Sequence, residues 1–358
     1  GVAATPTVGR AVGWRDADAG VSVTASHNPA PDNGLKLWQP SGQAFDTERR
    51  DAIEARIHEG RFEPAAWDSV GSVESWDARQ RHAEAIASDV DGEALDRHVV
   101  VDVGNGAGGV TVDVLKSLGC HVETLNAQPD GAFPGRPSEP KAENCTSLST
   151  LVGASDADLG IAHDGDADRM RAVAGDGTYL SGDTLLALFA RDAADPGDAV
   201  AVPVDTSLAV ADYLAEDDVD VTYTPVGDVY VAEAASEPGV AFGGEPSGAW
   251  IWPDATLCPD GPLAACKLRE HVPLSFQSVP NKCCPACGSN LIGYWLRWWV
   301  HVATAPVYRN QPRLDKSCSA VYFSHSLDFI LTDFMHLCST LRCSVGASVA
   351  YKLKGRKL

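Results

Sequence analysis

The strongest constraint on the fold is a repeated alternation of short apolar runs with segments of helix length. It is clearest in the stretch where 199–204, 219–224 and 240–243 read as strands and 207–214 and 228–235 as the helices between them. Strands and helices that alternate in this way build mixed or parallel sheets layered with helices. Ligands of such sheets bind in loops at the carboxyl ends of strands, so function is sought there. The same rhythm runs upstream. A buried-strand run at 99–103 precedes a helix at 110–118, and a strand at 156–162 precedes a hairpin of 171–173 with 178–180 across Gly175-Asp176-Gly177. A helix then starts at Asp183 and reaches about Arg191, and Pro196-Gly197 marks a boundary. Nearer the start, alternation at Val21 and Val23 predicts a strand, 35–38 a second, and Thr47 caps a helix through His58 with Glu48 in its first turn. A weaker helical stretch runs from Trp76 to about Val90.

Three loops in this frame carry chemistry. Asp164-Gly165-Asp166-Ala167-Asp168-Arg169 follows the apolar run Leu159-Gly160-Ile161-Ala162 and sets three carboxylates at alternate positions. Such a loop can wrap hard oxygen ligands round a divalent cation, and Mg²⁺ favours a few carboxylates with a phosphate oxygen. A source for the phosphate lies in Thr24-Ala25-Ser26-His27-Asn28-Pro29, where a serine occupies a tight turn closed by Asn-Pro. Gly243-Gly244-Glu245-Pro246-Ser247-Gly248 offers a carboxylate and a hydroxyl two residues apart on a glycine-hinged loop. Together they point to phosphoryl chemistry on a polyol. Taken singly, each has a plainer reading: a Ca²⁺-type or solvated acidic turn, a surface histidine at position 27, a Gly-Pro turn.

Gly104-Asn105-Gly106-Ala107-Gly108-Gly109 also fits the G-x-G-x-x-G spacing of a dinucleotide site. The ribose-binding acid should end the next strand about twenty residues on. Glu123 falls mid-strand and too early, so the motif reads as a structural strand-to-helix turn and a nicotinamide-linked oxidoreductase is set third among the readings.

The three loops, in this order, with Asp32-Asn33-Gly34-Leu35-Lys36 behind the first and Asp260-Gly261-Pro262-Leu263 behind the third, resemble the α-D-phosphohexomutase family, the phosphoglucomutase, phosphomannomutase and phosphoglucosamine mutase group. The resemblance runs from the first residue to about Leu268 and implies tandem α/β domains with mixed sheets. It divides the chain into a first domain over 1–93 with the phosphoserine loop, a second over 94–195 with the metal loop and a third over 196–268 with the sugar loop. It implies an isomerase that moves phosphate between the 1- and 6-positions of a hexose phosphate through phospho-Ser26 and a hexose 1,6-bisphosphate. Mg²⁺, one per active site, would be held by Ser26 phosphate, Asp164, Asp166 and Asp168. His27, Lys36 and Arg169 would act on the phosphoryl group, and Glu245 and Ser247, with Thr224 and Gly227, would bind the sugar. Ala249 departs from the histidine many members have, and Val229 stands where a basic residue is common. Members normally begin with a further strand and an Arg-Gly loop, so the first domain is expected to be truncated.

Charge separates two regions. Residues 1–268 carry 17 Lys and Arg against 45 Asp and Glu, a net of −28, whereas 269–358 carry 11 against 4, a net of +7. An acidic, lysine-poor surface repels nucleic acid and anionic membrane and suits solubility in concentrated salt. The expected partners are sugar phosphates, with a monomer or homodimer in the cytoplasm. Scattered cysteines make no disulfide framework, and Cys145 has no histidine nearby in sequence. After Leu268 the pattern changes to clustered Trp, Ser and Cys, with one C-x-x-C at Cys284 and Cys287 and no Arg-x-Ser-Gly-Thr-type loop for the second phosphate. The tail is therefore expected to be out of frame or foreign, the fourth domain absent or replaced, and turnover low. The reading from another class is an inactive remnant that binds metal and sugar phosphate.

Overall fold

The computed structural model describes residues 2–69, 71–90 and 96–268. The expectations for 269–358 lie outside the described residues. Chain order begins with α1 (Thr5–Trp14), β1 (Gly20–Val23), β2 (Leu35–Trp38), α2 (Thr47–His58) and α3 (Arg79–Asp89). β1 and β2 form a two-stranded antiparallel sheet with Val23 opposite Leu35. α2 starts as expected, but its cap is Asp46, whose carboxylate accepts from Arg49 N at 2.8 Å, rather than Thr47.

The second unit holds β3 (His98–Asp102), α4 (Gly109–Ser117), β4 (His121–Leu125), α5 (Thr146–Gly153), β5 (Leu159–His163) and β6 (Met170–Ala174). Its sheet has the order β4-β3-β5-β6, parallel except for the β5–β6 pair. The hairpin expected across 175–177 exists in reduced form: β6 pairs along its length with β5, and the return arm adds only a bridge between Val173 and Tyr179. The third unit, into which α6 (Gly182–Ala193) leads from β6, holds β7 (Ala199–Pro203), α7 (Leu208–Leu214), β8 (Asp220–Thr224), α8 (Asp228–Ala235), β9 (Val240–Gly244), β10 (Trp250–Ile251) and α9 (Gly261–Leu268), and α6 packs chiefly on α7 and β9. Its sheet runs β10-β9-β7-β8, with only the short β10 antiparallel.

The central strands of the two four-stranded sheets are buried on both faces, as strands inside a parallel sheet are, whereas the edge strands β4 and β8 are largely exposed. Val99, Val100 and Val101 of β3 and every residue of β5 are buried. One apolar cluster is continuous through the second and third units. It joins Leu115, Ile161 and Met170 to Phe189, Phe242 and Trp250 and to Leu263 and Leu268 of α9. Two links fix the first unit against the others. Thr5 at the start of α1 donates its backbone N–H to Asp166 O at 2.8 Å. Arg10 and His82 both bond the buried Asp260, at 2.8 and 3.0 Å.

Candidate active site

The metal loop follows β5 directly, and its shape is set by what lies beneath it. A Cβ on Gly106 would stand 2.4 Å from Gly165 O, and Ala107 N donates to that oxygen at 2.9 Å. The glycine-rich turn is thus a support for the acidic loop, which is why it carries the spacing of a nucleotide site without the ribose acid. Beside it, buried Arg136 ties Asp102 at the end of β3 to His163 O at the end of β5, at 2.6 Å each. His163 is pressed down to about 4 by burial and is neutral. Its Nδ1 faces Arg169 O at 2.9 Å and so carries the proton, leaving Nε2 to accept from Thr111.

Asp164, Asp166 and Asp168 are all buried and bring one carboxylate oxygen each to within 4.8 Å of one another. Ser26, with φ +54° in the left-handed region, reaches over from the first unit and donates Oγ–H to Asp164 Oδ2 at 2.6 Å. A Cβ on Gly165 would stand 2.7 Å from Ser26 O, so the two loops can approach this closely only with glycine there. Lys36 projects from β2 and pairs with Asp166 at 2.9 Å and with Asp168 more closely still. Burial lowers the affinity of this ammonium for its proton, but Asp168, Asp166 and Asp164 outweigh it, and its pKa is raised.

The donor set fits a hard divalent cation. Burial, then repulsion from Asp168 and Asp166, pushes the Asp164 carboxyl well above its usual range. Asp166 Oδ1 is buried with no hydrogen-bond partner. All the available donors are oxygens, as Mg²⁺ prefers.

A cleft of about 240 Å³ opens beside this cluster, lined by Ser26, His27 and Lys36 of the first unit, Asp168 and Arg169 of the second, and Asp228, Glu245 and Ala249 of the third. His27 Nδ1 lies 3.5 Å from Ser26 Oγ, and burial followed by the charge of Arg169 lowers its pKa. Arg169 is held by its backbone N–H on Asp164 Oδ1 at 3.1 Å and by a bridge to Ala249. Burial opposes its charge, but Asp164, Asp168, Glu245 and Asp228 more than compensate. Glu245 accepts from Gly227 N at 2.8 Å through Oε1 and from Ser247 Oγ at 3.0 Å through Oε2. Its pKa is raised by burial and by Asp228.

Ser26, His27, Lys36, the three aspartates, Arg169 and Glu245 therefore meet at one place. Gly227 and Ser247 touch Glu245 rather than the cleft. Thr224 does not line it either; its hydroxyl turns to Pro225 O at 2.8 Å. Sequence reasoning gave Asp228 only the start of a helix and no place in the site, and missed Thr5, whose Oγ1 donates to Asp166 Oδ2 at 2.7 Å. No local pattern marks a threonine that reaches a loop 161 residues away. The thiols are set aside: Cys120, Cys145, Cys258 and Cys266 are buried and form no disulfide among the described residues, and burial pushes the Cys145 thiol up to about 11.

Three family models match in sequence. Phosphoglucomutase/phosphomannomutase α/β/α domain I covers residues 1–64, domain II residues 80–177 and domain III residues 181–281. A "Probable phosphoglucosamine mutase" of Methanococcoides burtonii is 47% identical over 274 residues, which is 76% of this chain and 62% of that protein. One of the same description from Methanosarcina acetivorans is 48% identical over 275 residues, with coverage of 76% and 62%. The chain thus spans less than two thirds of the length of these curated relatives. A phosphoglucomutase/phosphomannomutase family protein of Burkholderia thailandensis superposes with a TM-score of 0.65 at 32% identity, over 71% of this chain and 55% of that one. The open form of pp63/parafusin, a phosphoglucomutase of Paramecium, shares the fold with a TM-score of 0.59 at 20% identity, over 82% and 60% of the two chains.

Proposed function

The chain belongs to the phosphoglucomutase/phosphomannomutase family, the α-D-phosphohexomutases, and from that premise we propose that it transfers a phosphoryl group between the two ends of a hexose phosphate with Ser26 as carrier. One observation carries this reading: Ser26 Oγ lies 2.6 Å from Asp164, so a phosphate on that oxygen would stand among three buried carboxylates and beside the cleft. Asp164, Asp166, Asp168 and the phosphate would hold Mg²⁺, which when bound neutralises the phosphoryl oxygens as the P–O bond loosens.

In the transfer, a sugar hydroxyl oxygen bonds to phosphorus while the bond from phosphorus to Ser26 Oγ breaks. The hydroxyl proton ends on Ser26 Oγ. His27, neutral through burial and the neighbouring Arg169 charge, is the group placed to relay it. Arg169 steadies the phosphoryl group from the cleft side. Glu245 accepts from two neighbouring sugar hydroxyls, a bidentate contact that suits a ring bound in either orientation. Gly227 and Ser247 act through Glu245 by fixing its carboxylate. Four buried cysteines with no disulfide among the described residues agree with a reducing, cytoplasmic setting.

Among hexoses, one observation favours a hexosamine phosphate. Asp228 joins Glu245 on the cleft wall, and a second carboxylate there gives a sugar ammonium a partner that a neutral hydroxyl does not need. The relatives described as phosphoglucosamine mutases support the same choice.

The test is peptide mass spectrometry after incubation of the full chain with glucose 1,6-bisphosphate or glucosamine 1,6-bisphosphate, alongside Ser26→Ala. Label on Ser26 only, faster from the amino sugar and with that preference lost in Asp228→Asn, is the expected result. Label on another residue, or none from either compound, removes the carrier role. Equal labelling from both compounds removes the hexosamine preference alone.

A further inference from the structure

We propose a second cation site, for a zinc-class divalent transition metal, at the opposite end of the second-unit sheet from the catalytic cleft. His98 opens β3 and His121 opens β4, and the parallel register sets them side by side. Glu123 lies two residues along β4 and so returns to the same face. One ligand atom from each of the three lies within 4.8 Å of the others, and the imidazole centroids are 4.4 Å apart. Two imidazoles and one carboxylate are an established donor set for Zn²⁺, with a fourth position left to water. His121 and Glu123 are exposed, so small rotations bring their atoms to the roughly 2.0–2.2 Å that such a metal requires.

A second observation, independent of the cluster, points the same way. Asp156, from the turn before β5, lies 3.1 Å from His98 Nδ1. A carboxylate can only accept, so Nδ1–H is the group that meets Asp156, and Nε2, 3.1 Å from Glu123 Oε1, is the ring nitrogen turned towards the other ligand atoms. The carboxylate–histidine pair behind the ligand is the support that metal-binding histidines commonly have, fixing tautomer and ring orientation. The site makes no contact with the residues of the cleft and goes beyond the mutase reading.

Binding is read from the visible spectrum of the full chain titrated with Co²⁺ under saturating Mg²⁺, which keeps cobalt from the aspartate loop. Tetrahedral nitrogen–oxygen ligation gives d–d bands without the intense thiolate charge transfer that the cysteines of 269–358 would produce. One equivalent should bind with those bands. His121→Ala and Glu123→Gln should each weaken it at least tenfold, and Asp156→Asn by about tenfold. Both ligand variants change exposed side chains, and an unaltered metal-free melting temperature checks that they fold. A proton held between His98 and Glu123, with no metal, is the competing explanation. No saturable d–d signal, or one that His121→Ala weakens less than tenfold, overturns the proposal.

Discussion

Asp166 accepts from Thr5 and Lys36 through Oδ2, while its other oxygen is buried without a partner. The paired oxygen holds the carboxylate ionised: burial opposes ionisation, but the charge of Lys36 and the bond from Thr5 outweigh it, and the pKa is lowered. An ionised carboxylate with one free buried oxygen is a ligand in waiting. Asp166→Ala removes that oxygen, and no other side chain in the loop replaces it. Calorimetric titration with Mn²⁺ should show affinity falling by more than the roughly 10–100-fold that loss of a supporting residue brings; wild-type affinity would move the metal away from this loop. Ser26, the aspartates and Glu245 were legible in the sequence because each sits in a short pattern whose chemistry is local. Thr5, Asp228 and Asp260's partners were not, because their meaning depends on which distant chain segment folds against them.

At the scale of elements, the glycine turn before α4 shows how a motif can mislead and still be necessary. Gly106 has no need of glycine's backbone freedom, but the 2.4 Å between its Cβ position and Gly165 O leaves nothing that can move aside, since both sides are backbone. Gly106→Ala should destabilise the protein by about 1–3 kcal/mol, as overpacking does. It should also weaken Mn²⁺ binding without touching any ligand; urea unfolding with the same titration tests both, and unchanged metal affinity would show that the turn does not shape the loop. Elements with an apolar period were readable: α8 spans the expected residues, and β7, β8 and β9 fall within one residue of theirs. α1 was not foreseen, because Thr5, Thr7, Val8, Gly9, Val12 and Gly13 are poor helix formers and tertiary burial decides the matter. Its Pro6 start and the buried Thr5, Arg10 and Val12 became meaningful only with the rest of the fold in place.

Across the whole molecule, two electrostatic regimes act in opposite directions. Inside, Asp260 gathers Arg10 of α1 and His82 of α3 at the head of α9, and also accepts from Leu263 N at 3.0 Å. Burial opposes its charge, but His82 and Arg10 outweigh it and hold its pKa far below the usual carboxylate range. A depressed folded-state pKa contributes stability above the unfolded value of about 3.9 and loses it as pH falls below that. Asp260→Asn should therefore lower stability at pH 7 by at most about 3–5 kcal/mol, because buried Arg10 loses its closer carboxylate and keeps Asp89 at 3.2 Å. It should also flatten the loss of stability below pH 4; denaturant unfolding at pH 7 and pH 3.5 measures both. Outside, the balance is repulsive. Residues 1–268 carry a net of −28, and stretches such as exposed Glu216, Asp218 and Asp220 have few cations near them, Arg191 on Asp217 being the local exception. Such self-repulsion favours expanded states over the compact one. Raising salt shortens the Debye length from about 10 Å at 0.1 M to about 3 Å at 1 M, which screens exposed charges while leaving the buried Asp260 cluster nearly untouched. The melting temperature should accordingly climb between low salt and molar KCl, and by a similar amount in Asp260→Asn as in the wild type. A flat melting temperature would mean that the surface charge is already compensated; a rise confined to the wild type would place the salt effect in the interior.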